Sequence, residues 1–194
     1  MDWFTYLLDG IRHITDFGGY DHMVYLIALV SIFEYDEVKR VLLLATAFTV
    51  GHSVTLILAG LNLVHVDPAW IEFLIPITIL ITGLTNLRYA SRVKEPIPGH
   101  GWRYLFAIVF GLIHGLGFSS YFRMILDEGE SIVAPLLLFN IGVEIGQLLI
   151  VACFMFLAFA LQSSLKIRQR DWILFFAGLT SGIALLIAAE AWPL

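Results

Sequence analysis

Apolar residues run through the chain in six long stretches, at about 17–33, 41–64, 70–87, 102–122, 131–162 and 172–192, separated by short polar or charged segments. A helix needs about 20 apolar residues to cross a bilayer core, and about 17–25 are tolerated. The pattern therefore predicts an all-α, polytopic membrane bundle of about six transmembrane helices. Two spans depart from the rule. The first is short and opens on Gly18-Gly19 and Asp21-His22, which predicts an irregular entrance lining a cavity rather than lipid. The fifth is too long for a perpendicular span and must tilt or project. Pro76 deletes one backbone donor inside the third and should kink it. Before the first span, residues 1–16 carry Trp3, Phe4, Tyr6, Leu7, Leu8 and Ile11 at roughly helical spacing, as in a short interfacial helix with an aromatic anchor. Because Asp2, Asp9 and Arg12 interrupt it, this stretch does not read as a secretory signal.

Composition agrees with one integral membrane domain over residues 1–194. The chain is 59% hydrophobic and only 14% charged, with a mean hydropathy of +0.87, whereas soluble domains carry about 25% charged residues. The formal net charge of −5 argues against a nucleic-acid partner. The one cysteine, Cys153, lies in an apolar run and is expected to be packed or lipid-facing. Of 11 Lys and Arg residues, nine (Lys39, Arg40, Arg88, Arg92, Lys94, Arg103, Lys166, Arg168 and Arg170) fall in three alternate connections, leaving Arg12 and Arg123 on the other side. The positive-inside rule then places both termini outside the cytoplasm, in what we read as a bacterial inner membrane. The segment Ser91–Gly101, with Pro96 and Pro98, reads as a cytoplasmic connector. Trp70, Trp102, Trp172 and Trp192 are expected in the interfacial belts.

Ionisable residues inside such spans are expensive and normally turn to the bundle interior, pair, or hold an ion. Asp21, His22, His52, His114 and Glu144 all map to the non-cytoplasmic half or the middle of their spans. A single histidine of this kind is readily explained by a hydrogen bond to a neighbouring helix; the whole set is better explained by one shared metal or proton site. His13, eight residues before Asp21, can fold over that site as a capping ligand. Spacing adds supporting residues: Thr49 and Ser53 share a face with His52, and Asn140 and Gln147 share one with Glu144. Gly111, Gly115 and Gly117 around His114, and Gly142 and Gly146 around Glu144, allow neighbouring backbones to approach. Imidazole and carboxylate without thiolate suit nickel, zinc, cobalt or copper(II). Asp21 and His22 are adjacent and cannot share a helix face, so one binds metal while the other orients it. His65 and His100 lie in loops and are expected to be solvated, while Glu72 and Glu190, at outer span ends, fit either the site or the interface.

The stretches His13 through Gly19-Tyr20-Asp21-His22, Thr46 through His52-Ser53, Phe110 through His114 to Phe118, and Phe139 through Glu144 to Gln147, in this order, resemble the HupE/UreJ family of nickel permeases. The resemblance covers nearly the whole chain. It implies about six transmembrane helices, an outward N-terminus and transition-metal handling, most often of nickel.

The leading reading is a permease in which Asp21 and His22 collect a divalent ion, with His52, His114 and Glu144 forming a deeper site. No GxxxxGK[ST] motif is present, so ATP hydrolysis by this chain is not expected. The alternative is an intramembrane hydrolase whose zinc, held by His22, His52 and His114, activates water with Asp21 or Glu144 as base. The partners expected are a metal ion and the lipid bilayer; self-association into a homo-oligomer stays open. Cysteines introduced at Ser91 and Ser164 should react with impermeant thiol reagents only from the cytoplasmic side, and at Asn62 or Asp67 only from outside; the reverse pattern would overturn the orientation.

Overall fold

The computed structural model of the chain describes residues 3–91, 100–125 and 133–193, with the side chains of α5 described up to residue 118. The described residues form seven helices and no strand: α1 (Trp3–Thr15), α2 (Asp21–Val30), α3 (Val38–Gly60), α4 (Pro68–Ala90), α5 (His100–Ile125), α6 (Val133–Leu165) and α7 (Gln169–Glu190). Five of them, α3 to α7, are long and apolar enough to cross a membrane. The expected cytoplasmic connector with Pro96 and Pro98 falls largely outside the described residues, as does the side chain of His100.

Local chemistry sets the boundaries. Asp67 accepts from the Ala69 N–H at 3.0 Å and Pro68 opens α4, where its missing N–H costs nothing. At the end of α3 the chain turns through Asn62 at φ 56°, and the Leu63 N–H reaches back to the Leu58 carbonyl at 2.8 Å. Asparagine tolerates that left-handed position better than most residues, and the bond satisfies a terminal carbonyl.

The first apolar stretch behaves differently from the others. Residues 16–20 are not helical, and only Asp21–Val30 forms α2. Ten residues of helix rise about 15 Å, half of a bilayer core. The segment before the break is α1, and it is not simply an amphipathic surface helix: Tyr6, Gly10 and Ile14 are buried against α6. A Cβ on Gly10 would lie 2.0 Å from the Phe139 carbonyl oxygen, and one on Gly142 would lie 2.1 Å from that of Leu7. Gly142 and Gly146 therefore admit α1, on a different side of α6 from Glu144, which meets α3.

A second glycine-lined pair joins α3 to α5. Gly51 faces the Ile108 carbonyl, while Gly111 and Gly115 face the backbones of Phe48 and His52. Matching positions advance together in both pairs, so α1 runs parallel to α6 and α3 parallel to α5. The third pair, α4 with α7, is antiparallel: Gly83 meets Ala177 and Ser181, and Phe73 meets Trp192. Short α2 sits among them, touching α1, α3, α4, α6 and α7. Seven of its ten residues are buried, as expected for a helix that is apolar all round. Trp172, expected in an interfacial belt, is buried against Phe154 and Phe176, whereas Trp70 and Trp192 are exposed.

These contacts predict opposite outcomes for two kinds of glycine. Gly111→Ala or Gly142→Ala forces a methyl into a neighbouring carbonyl and should destabilise the protein by about 1–3 kcal/mol. Gly178→Ala and Gly182→Ala meet open space and should be neutral or gain up to about 1 kcal/mol of helix propensity. Thermal unfolding in detergent distinguishes the two classes, and equal shifts would contradict the packing.

Candidate metal centre

The break between α1 and α2 places His13 at the end of one helix and Asp21-His22 at the start of the next. The α3·α5 pair brings His52 and His114 alongside. Ring centres lie 4.6 Å apart for His13 and His22, 5.6 Å for His13 and His52, and 5.1 Å for His22 and His114. His52 and His114 are fully buried and His22 is 5% exposed. Two overlapping groups of donors result, His13/His22/His52 and Asp21/His22/His114, with the ligand atoms of each within 4.8 Å of one another.

Proton counting shows which nitrogens face the centre. His22 Nδ1 is 3.2 Å from Asp21 Oδ1; a carboxylate only accepts, so Nδ1 carries the proton and Nε2 keeps its lone pair. Thr78 spends its hydroxyl hydrogen on the Ile75 carbonyl at 2.7 Å. Its oxygen, 3.1 Å from His114 Nε2, then accepts from that ring, and the lone pair of His114 is on Nδ1. Those two lone pairs, His13 Nε2 and both nitrogens of His52 are buried without a hydrogen-bond partner among the described residues. Unpaired buried polar atoms are rare because each forfeits its hydration. Each neutral ring can turn one lone pair to a metal, so the four converging rings form a four-nitrogen donor set suited to a borderline divalent metal. The Asp21–His22 bond is the carboxylate–imidazole support typical of metal ligands.

Around the rings the wall is apolar and aromatic. His13 packs on Phe118 and Phe139, His114 on Tyr25 and Phe48, and Phe139 belongs to a buried cluster with Ile14, Leu26, Leu56 and Val143. Cavities approach on two sides of the 16–20 break. One, of about 790 Å³, reaches His13 beside Asp9, Arg12 and Asp16. The other, of about 420 Å³, has Asp21, Glu72 and Glu190 in its lining.

Other residues singled out in the sequence have different surroundings. Glu144 belongs to neither donor group. Its two oxygens accept from Thr46 at 2.7 Å and Thr49 at 2.6 Å, bracing α6 against α3. Gln147 lies 3.2 Å from the same Thr49 hydroxyl. Since Thr49 donates its one hydrogen to the carboxylate, the satisfied arrangement has the Gln147 amide nitrogen donating to Thr49. Ser53 bonds the Thr49 carbonyl and Asn140 the Leu136 carbonyl, each within its own helix. His65 is exposed. Thr78, which orients His114, was not apparent from the sequence; the signal for it is the helical spacing of Thr78, Thr82 and Asn86 along α4.

Five long apolar helices around a buried imidazole–carboxylate cluster define an integral membrane protein with a candidate metal centre. A family model described as HupE / UreJ protein matches residues 1–191, and the chain belongs to that family. No curated protein and no solved structure matches the chain.

If Asp21 and Thr78 orient the ligands, Asp21→Asn and Thr78→Val should weaken metal affinity about 10–100-fold while the bundle stays folded. Equilibrium competition with a chromogenic chelator measures this, and unchanged affinity in both variants would remove the orienting role.

Proposed function

We propose that the protein binds a divalent transition metal of the nickel type at His13, Asp21, His22, His52 and His114 and carries it across the membrane. The convergence of four imidazole rings, each with a buried nitrogen lacking a partner among the described residues, carries this reading. Inside a membrane bundle such atoms are costly unless an ion or another polar group takes them up. Family membership supports metal handling and favours nickel among the ions the donors suit.

Six alternating passes, with α1 and α2 together as the first and both termini outside, require α1 parallel to α6, α3 parallel to α5, and α4 antiparallel to α7. Those are the directions of the close pairs. In this topology the carboxylates Asp21, Glu72 and Glu190 line an outer vestibule that concentrates cations. His22 belongs to both donor groups, so an ion bound with His13 and His52 shifts towards His114 by exchanging ligands around one fixed imidazole.

The hydrolase alternative needs a base beside the metal. Asp21 is engaged with His22 Nδ1 and Glu144 with two threonines, an arrangement that favours the permease.

His22→Ala, which removes a ligand from both groups, should abolish stoichiometric nickel binding and nickel uptake into proteoliposomes. Glu144→Gln should keep bound nickel at the parent level, because its carboxylate braces two helices rather than facing the rings, and His65→Ala should leave both measurements unchanged. Full binding after loss of His22 would refute the shared centre, and tight binding without flux in the parent would shift the reading to the enzyme.

A further inference from the structure

A metal released from His114 needs a route through the other half of the bundle, and α4 carries a polar seam that begins there. Thr78 accepts from His114, Thr82 bonds the Thr78 carbonyl at 2.9 Å, and Asn86, fully buried, donates to the Ala28 carbonyl of α2 at 2.6 Å. Beside this seam lies a cavity between α2, α4 and α5, walled by Tyr25, Thr82, Thr85, Asn86, Trp102 and Arg103. Tyr25 and Thr82 join it to the metal centre, since the Tyr25 ring packs 5.2 Å from that of His114.

Three atoms of this lining are buried without a hydrogen-bond partner among the described residues: Tyr25 Oη, Asn86 Oδ1 and Arg103 Nε. These three polar groups stand in a chamber whose remaining wall is apolar, with Leu29, Ile81, Phe106, Ala107 and Phe110, so a water or ion entering it would find its partners on the α4 seam, Tyr25 and Arg103. The room for water centres is about 20 Å³, enough for a single water and too little for a hydrated divalent ion. In this conformation the chamber is too small to pass such an ion.

A cation stands on its wall. Arg103 is 7% exposed, and its guanidinium lies 4.7 Å from the Trp102 ring centre and 5.7 Å from that of Tyr89, a distance at which the ring face attracts the charge. Arg103 counts among the basic residues around the connection after the third span, and the fold draws its head inward. It stands one turn from the start of α5, so a change of rotamer lets the long side chain reach the headgroup level. Inward, its charge repels a divalent ion across a low-dielectric chamber.

We propose that this chamber is the inner half of the ion path and that Arg103, latched on Trp102 and Tyr89, is its gate. The proposal rests on the permease reading, and the test separates the two. Arg103→Ala and Arg103→Gln are reconstituted in liposomes containing a metal-sensitive dye, with nickel chloride and zinc chloride added separately; unchanged metal stoichiometry verifies folding. Influx should rise at least fivefold in whichever of the two variants folds. In parallel, Thr82→Cys in a Cys153→Ser background is labelled with an impermeant maleimide from each side of sealed vesicles. Labelling from the cytoplasmic side should be at least tenfold faster when Arg103 is also replaced. Equal labelling with and without Arg103 overturns the gate, as does faster labelling with slower influx, which would make Arg103 a support. Faster labelling with no influx in parent or variants retains a gate for water and removes the permease reading.

Discussion

The organising constraint in this protein is the cost of leaving a polar atom without a partner where water cannot reach it. Lipid-facing surface accepts almost any apolar side chain, so it specifies little about which helices meet. Buried imidazoles, threonine hydroxyls and one asparagine specify a great deal. Asp21 holds His22, Thr78 holds His114, and Thr46, Thr49 and Gln147 gather around Glu144. What these bonds leave over is concentrated in two places, the four-histidine centre and the chamber beside Arg103. Tyr25 and Thr78, both against His114, connect the two.

That concentration depends on backbone contact. Without a hydrophobic force between helices inside a membrane, association relies on close packing and hydrogen bonds. Glycines let α3 meet α5 and α1 meet α6 at distances no side chain would permit. The first contact fixes His52 relative to His114. The second carries His13 down beside α6 until its ring reaches His22. The break at residues 16–20 then allows the chain to turn with non-helical backbone facing cavities rather than lipid, the condition under which such backbone is tolerated at membrane depth.

Much of this was legible in the sequence. Hydropathy and span length identified an all-helical membrane protein, and Gly18-Gly19 ahead of Asp21-His22 marked an irregular entrance that the structure contains. Adjacent Asp21 and His22 had to divide the roles of ligand and support, because neighbours on a helix point about 100° apart, and their side chains are indeed hydrogen-bonded to each other. The four buried or half-buried histidines were marked by the expense of imidazole among apolar residues. These are one-dimensional properties of composition, periodicity and spacing.

Tertiary structure decided what spacing could not. Glu144 carries the same signature as a ligand, an acid bracketed by glycines, but the glycines admit α1 while the acid turns to threonines on α3. Whether a helix face meets metal or hydroxyl depends on which neighbour lies opposite. The same holds for Trp172 and Arg103, whose residue types suggest an interface and whose neighbours draw them inside. The sequence by itself determined that polar groups would be buried in this bundle, the histidines within its spans among them. Only the packing of helices distant in the chain determined which of them satisfy one another and which remain to bind an ion.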